Sequence, residues 1–306
     1  MKIEDIHPQL RSAFARIPSM PFHNRLFLKS LNFLSKLIPP PRTTGVQISQ
    51  RTLGPASLRI YTPEGTPSGA GLLWIHGGGF ITGAAKMDEK YCVQYAKELN
   101  LVVVSVDYRL APKHPFPAAL DDCFEAWRWF QYQAPAWGID PTRIVVSGNS
   151  AGAGLAASLV QRVFDEGGVQ PIAQALFYPM LDDRTAARPD LDAINHRIWN
   201  NKSNRAGWSW YLDQPAGATE LPQYAVPARR EQLAGLPAAW IGTGDIDLFY
   251  QENCRYASRL TAAQVSCHMD TVPQAPHAFE RIAPDAEISV DFIQQNHNFL
   301  RRVLSL

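Results

Sequence analysis

The sequence predicts an α/β architecture, a mostly parallel sheet covered by helices on both faces. Three observations carry that reading. From residue 46 onward, short apolar runs alternate with longer helical patterns, the order that builds parallel strands joined by crossover helices. The later runs are continuously apolar, which suits strands buried on both sides. Finally, His76-Gly77-Gly78-Gly79-Phe80 and Gly148-Asn149-Ser150-Ala151-Gly152 each directly follow such a run, at the strand ends where ligands sit in folds of this class.

Taken in order, residues 46–51 and 58–61 read as an opening antiparallel pair split by Gly54-Pro55. Strands follow at 71–76, 101–106, 143–147, 173–178, 238–242 and 265–271, with helices at 86–99, 118–131, 151–166 and 252–263. Two regions break the alternation. Residues 1–45 hold an apolar stretch, Phe22 to Ile38, interrupted by Arg25, Lys29 and Lys36 and closed by Pro39-Pro40-Pro41. Residues 183–225 carry Trp199, Trp208, Trp210 and Tyr211. A membrane-surface helix is one reading of the first region, but its basic residues are few, and a helix packed over the active site fits better. The two regions together are read as a cap over Ser150. Residues 46–182 and 226–306 then form the catalytic domain.

Composition narrows the function. The chain has 306 residues, 46% hydrophobic and 19% charged, with a formal net charge of +1. Such a balance gives no electrostatic footprint for nucleic acid or an anionic membrane. No apolar stretch approaches the roughly 20 residues that span a bilayer, and the start lacks a secretory pattern, so a cytoplasmic location is expected. Cys92, Cys123, Cys254 and Cys267 are far apart, fit no metal spacing and read as free thiols. Gly242-Thr243-Gly244 lacks the third glycine of a dinucleotide fingerprint. Neither a metal nor a cofactor is expected. The oligomeric state stays open, with a homodimer as the candidate assembly.

The two glycine motifs carry the chemistry. A serine at a strand end with glycines two residues either side marks a strained turn that lifts the hydroxyl into the open. The helix that starts there turns its first amide toward a negative oxygen. Alone, this pattern arises by chance in roughly one chain in ten of this size. The glycines after His76 expose further amides of the kind an oxyanion needs, and the pairing of the two motifs is far rarer. Ser150 is therefore read as a nucleophile.

A serine hydroxyl needs an imidazole to take its proton, and the imidazole needs an acid to fix its tautomer. In this fold class the chain order is serine, acid, histidine. His196 precedes the candidate acids, while His268 falls in a strand and His297 in the C-terminal helix. His277 lies in a loop after the last strand and is read as the base. Asp245 and Asp247, in the loop after strand 238–242, are nearly equivalent as the acid, and the other would organise the turn.

These residues resemble the hormone-sensitive lipase family of α/β-hydrolase esterases. The likeness rests on His76-Gly77-Gly78-Gly79-Phe80, Tyr108-Arg109-Leu110-Ala111-Pro112, His114-Pro115-Phe116-Pro117-Ala118-Ala119, the serine turn and His277-Ala278-Phe279, and runs from about residue 70 to 280. It implies an α/β-hydrolase fold and an oxyanion hole made by the amides of Gly78, Gly79 and Ala151. It also implies a structural role for residues 108–119. Two positions depart from the family pattern. Asn149 stands where aspartate is common, and the acid lies in Asp245-Ile246-Asp247-Leu248-Phe249 without the usual proline. Aligning Thr243 and Glu252 with the family's flanking residues favours Asp247, while the missing proline keeps Asp245 in play.

The expected activity is that of a carboxylesterase acting on small to medium-chain, uncharged acyl esters, with Phe80, Trp208 and Trp210 as pocket walls. Lactones and activated amides such as formamides are alternative substrates for the same triad. A non-catalytic ligand-binding module on the same fold is the alternative from another class, and it has no need of a filled triad.

Overall fold

The computed structural model describes residues 1–18, 20–37 and 43–306. Its eight strands are β1 (Val46–Leu53), β2 (Ala56–Pro63), β3 (Gly71–Ile75), β4 (Val102–Asp107), β5 (Ile144–Asn149), β6 (Ala173–Phe177), β7 (Ala238–Gly244) and β8 (Cys267–Val272). They form one sheet in the order β1-β2-β4-β3-β5-β6-β7-β8. β1, β2 and β4 pair antiparallel, and every pairing from β4 through β3 to β8 is parallel. The helices are α1 (Pro8–Ala15), α2 (Arg25–Leu37), α3 (Glu89–Glu98), α4 (Ala118–Gln133), α5 (Ala151–Glu166), α6 (Asp183–Ala186), α7 (Asn201–Leu212), α8 (Tyr250–Ala262), α9 (Phe279–Ile282) and α10 (Glu287–Leu304).

The continuous apolar runs are explained by two cores, one on each face of the sheet. Successive strand side chains point to opposite faces. Leu73 and Ile75 of β3 therefore join Val104, Val146 and Ile241 on one face, against Phe124 and Trp127 of α4, Leu155 and Leu159 of α5, and Leu260 of α8. Leu72 and Trp74 join Val103, Val145 and Trp240 on the other, against Tyr95 of α3, Phe292 and Leu300 of α10, and Leu10 and Phe14 of α1. Each such side chain contributes about 1.5–3 kcal/mol when fully buried, so neither face can be polar.

Most boundaries shift by one or two residues, and two of the shifts have clear local reasons. The helix expected from residue 86 starts at Glu89, after a 3-10 turn over Ala85–Asp88. That turn aims the Asp88 side chain inward, where it is held by Trp74 and Asn149. The last strand starts at Cys267 rather than 265, because the Val265 amide still donates to the Leu260 carbonyl that closes α8. β8 is an edge strand and is mostly half-buried or exposed, with only Val272 fully buried.

The N-terminal region divides into two parts. α1 packs beside the His277 loop, with the His7 amide donating to the Gln274 carbonyl at 2.9 Å. α2 lies against the glycine loop, where Asn32 Nδ2 donates to the Ile81 carbonyl at 3.1 Å and Thr82 Oγ1 donates to Asn32 Oδ1. Ile38 and the prolines 39–41 fall outside the described residues. In the 183–225 region, Arg229 pairs with buried Asp183 at 2.8 Å and anchors α6 to the body. No helix among the described residues is long and apolar enough to cross a membrane.

Candidate active site

β5 runs straight into Ser150, whose backbone takes φ +53° and ψ −120° before α5 begins at Ala151. A non-glycine residue with positive φ is strained, and three hydrogen bonds hold it there. The Ser150 amide donates to the Phe177 carbonyl at 2.9 Å, and the Met180 and Gly154 amides donate to the Ser150 carbonyl at 3.0 Å each. The flanking glycines answer to crowding. A Cβ on Gly148 would lie 2.5 Å from the Ile75 carbonyl oxygen, and one on Gly152 would lie 2.1 Å from it.

Across the gap, His277 Nε2 accepts from Ser150 Oγ at 3.0 Å. His277 Nδ1 donates to Asp247 Oδ2 at 2.7 Å. Asp247 Oδ1 is in turn occupied by the Phe249 amide at 2.8 Å. The imidazole is clamped edge-on by Tyr178 and Phe249, with ring centroids at 4.7 and 5.2 Å. Tyr178 is itself fixed by donating from its hydroxyl to Glu280 Oε1 at 2.6 Å, and burial pushes the Glu280 carboxyl above its ordinary range. Asp245 points elsewhere, accepting from the Gln274 amide at 2.6 Å. It organises the loop that carries His277.

The glycine loop faces the same space. Gly78 and Gly79 take φ of +118° and +60°, and Tyr108 supports the loop from behind, donating from its hydroxyl to the His76 carbonyl at 2.9 Å and stacking on the His76 ring. Among the described residues, the amides of Gly78, Gly79 and Ala151 donate to no protein acceptor. Unused amides at a helix start and a glycine turn are what a developing oxyanion requires.

A cavity of about 290 Å³ opens onto Ser150 and His277, walled by Met20, Phe22, Leu31, Met87, Ile198 and Trp199. This corrects the expected walls. Phe80 stacks on Tyr211 at 4.1 Å and packs on Trp208 at 5.0 Å, so both are core of the 183–225 region rather than lining. Trp210 lines a different cleft, beneath Arg25. The aromatics that line the cavity with Ser150 are Trp199, tilted against Phe22 at 5.3 Å, Phe22 itself and Tyr178. The two ionic groups in the wall, Asp88 and Arg281, pair with each other at 2.6 Å. His196 is buried nearby, its Nδ1 without a hydrogen-bond partner among the described residues, and burial lowers its pKa.

A family model described as alpha/beta hydrolase fold matches residues 72–281. The chain belongs to that family, and it is a carboxylic ester hydrolase of the serine type. Esterase LipI of Mycobacterium tuberculosis is 37% identical over 74% of this chain and 71% of its own length. Carboxylesterase NlhH of the same organism is 33% identical over 80% and 79%. Among solved structures, a bacterial heroin esterase superposes with a TM-score of 0.91 at 31% identity, covering 99% of both chains.

Proposed function

We propose that the protein is a carboxylesterase of the hormone-sensitive lipase branch that hydrolyses small to medium-chain, uncharged esters through a Ser150–His277–Asp247 triad. The observation that carries this reading is the unbroken hydrogen-bonded line from Ser150 Oγ through His277 to Asp247. His277 takes the serine proton as Oγ attacks the ester carbonyl, and Asp247 steadies the imidazolium. The oxyanion is received by the amides of Gly78, Gly79 and Ala151, at about 3–4 kcal/mol per donor in comparable sites. His277 then protonates the leaving alcohol. Water, activated by the same imidazole, releases the acid from the Ser150 acyl-enzyme.

The substrate class follows from the cavity. Its volume and apolar walls suit a compact acyl or alcohol group, and among the described lining residues the mutual pairing of Asp88 and Arg281 leaves no unpaired carboxylate or guanidinium to attract an ionic one. The names of the relatives, esterase and carboxylesterase, agree with this chemistry. Residues 1–45 and 183–225 are taken as the cap that shapes the cavity, and the free cysteines suit a cytoplasmic setting. The test is a ladder of p-nitrophenyl esters from acetate to palmitate, with wild type and Ser150→Ala. Serine-dependent turnover that peaks at short chains supports the proposal. A palmitate optimum would make the protein a lipase. Binding without turnover, or turnover of lactones or formamides alone, would move the reading to the alternatives.

A further inference from the structure

Asp88 has no part in the triad, yet it touches all three segments that carry reactive groups. Its side chain is 3% exposed. Oδ2 accepts from Trp74 Nε1 and from Asn149 Nδ2, each at 2.8 Å, and Oδ1 pairs with Arg281 Nη2 at 2.6 Å. Trp74 leads into His76 and its glycines, Asn149 directly precedes Ser150, and Arg281 follows His277 on the short helix α9. One buried anion thus ties the oxyanion loop, the nucleophile turn and the base loop to a single point. Charge-assisted bonds of this kind are about twice as strong as neutral ones. The same geometry accounts for Asn149. An aspartate there would set a second carboxylate against the first, whereas an amide donates to it.

We propose that Asp88 is a positioning residue for Ser150 and His277, and that Asp88 and Asn149 form one donor–acceptor unit whose polarity can be exchanged. The proposal rests on the triad assigned under Proposed function. It is tested by kcat and KM for p-nitrophenyl butyrate in wild type, Asp88→Asn, Asn149→Asp and the double exchange, with Ser150→Ala alongside. Each single variant is expected to lose at least about tenfold in kcat, the worth of one charge-assisted bond, with KM within about twofold. The double exchange restores one carboxylate and one amide and is expected to recover to within about fivefold of wild type, less than full because Trp74 and Arg281 then share one oxygen. Wild-type kcat in Asp88→Asn, or losses that multiply in the double variant, would overturn it. If Asp88→Asn alone does not fold, recovery of folding and turnover in the double variant supports the proposal, and an unfolded double variant overturns it. Activity retained in Ser150→Ala would instead refute the triad itself.

Discussion

Asparagine at position 247 is expected to cripple turnover through the wrong tautomer rather than through lost structure. Asp247 uses both oxygens, Oδ2 toward His277 Nδ1 at 2.7 Å and Oδ1 toward the Phe249 amide at 2.8 Å. Asparagine keeps one oxygen. The Phe249 amide claims it, because a buried donor left unpaired costs about 1–3 kcal/mol. The side-chain NH2 then faces His277 Nδ1, which must become the acceptor, and the ring proton moves to Nε2. A ring protonated there cannot take the Ser150 proton. The corresponding change in a serine protease lowers kcat about ten-thousandfold, or about 5 kcal/mol of transition-state stabilisation. The same loss is expected here, with KM little changed. Asp245→Asn keeps an oxygen for the Gln274 amide and is expected to hold kcat within about threefold, a neutral-acceptor exchange outside the relay. The assay is initial rates on p-nitrophenyl butyrate, with circular dichroism to verify folding. Asp247→Asn retaining more than about a tenth of wild-type kcat, or Asp245→Asn falling as far, would refute the assignment.

Other perturbations probe the rest of the site. Gly79→Ala places a Cβ 2.1 Å from the Trp199 ring at a φ of +60°; a drop in kcat of about a hundredfold is expected from the displaced oxyanion amide, and undiminished kcat would remove Gly79 from that role. Trp199→Leu enlarges the cavity beside Ser150 and is expected to move the ester ladder's optimum toward longer acyl chains, which an unchanged optimum would contradict. Glu252 is buried beneath the Leu181 and Asp182 amides and the Thr185 hydroxyl, and burial pushes it up to about 8. The folded state then keeps a proton that the unfolded chain releases near 4.5, so stability falls as pH rises between those values. Urea unfolding at pH 5.5 and 8 should show Glu252→Gln spared a loss on the order of 3 kcal/mol that wild type suffers; parallel losses in both proteins would argue against it.

Much of this was legible in the sequence because it is local. Strand runs and the glycine turns are set by neighbours along the chain, the order of Ser150, acid and His277 follows from the fold class, and the structure joins the strands as one sheet with its motifs at the strand ends. The choice between Asp245 and Asp247 needed the family resemblance, since two aspartates in one turn differ only in where the folded loop aims them. The pocket walls were not legible. Phe80, Trp208, Trp210 and Trp199 are all aromatics near the site, but which of them pack on each other and which face the serine depends on how α7 settles against the glycine loop. Met20, Phe22 and Leu31 reach the cavity from a segment far away in sequence. Asp88 gave no signal at all, because no motif marks it and its partners Trp74, Asn149 and Arg281 meet it only once the chain has folded.

The most direct test of the account is to trap the acyl-enzyme. Wild type mixed with p-nitrophenyl butyrate and quenched in acid within the burst should carry one butyryl group, mapped by mass spectrometry to the peptide containing Ser150 and absent from Ser150→Ala. Ester hydrolysis with no acyl adduct on that peptide, or an adduct on another residue that turns over at the same rate, would contradict it.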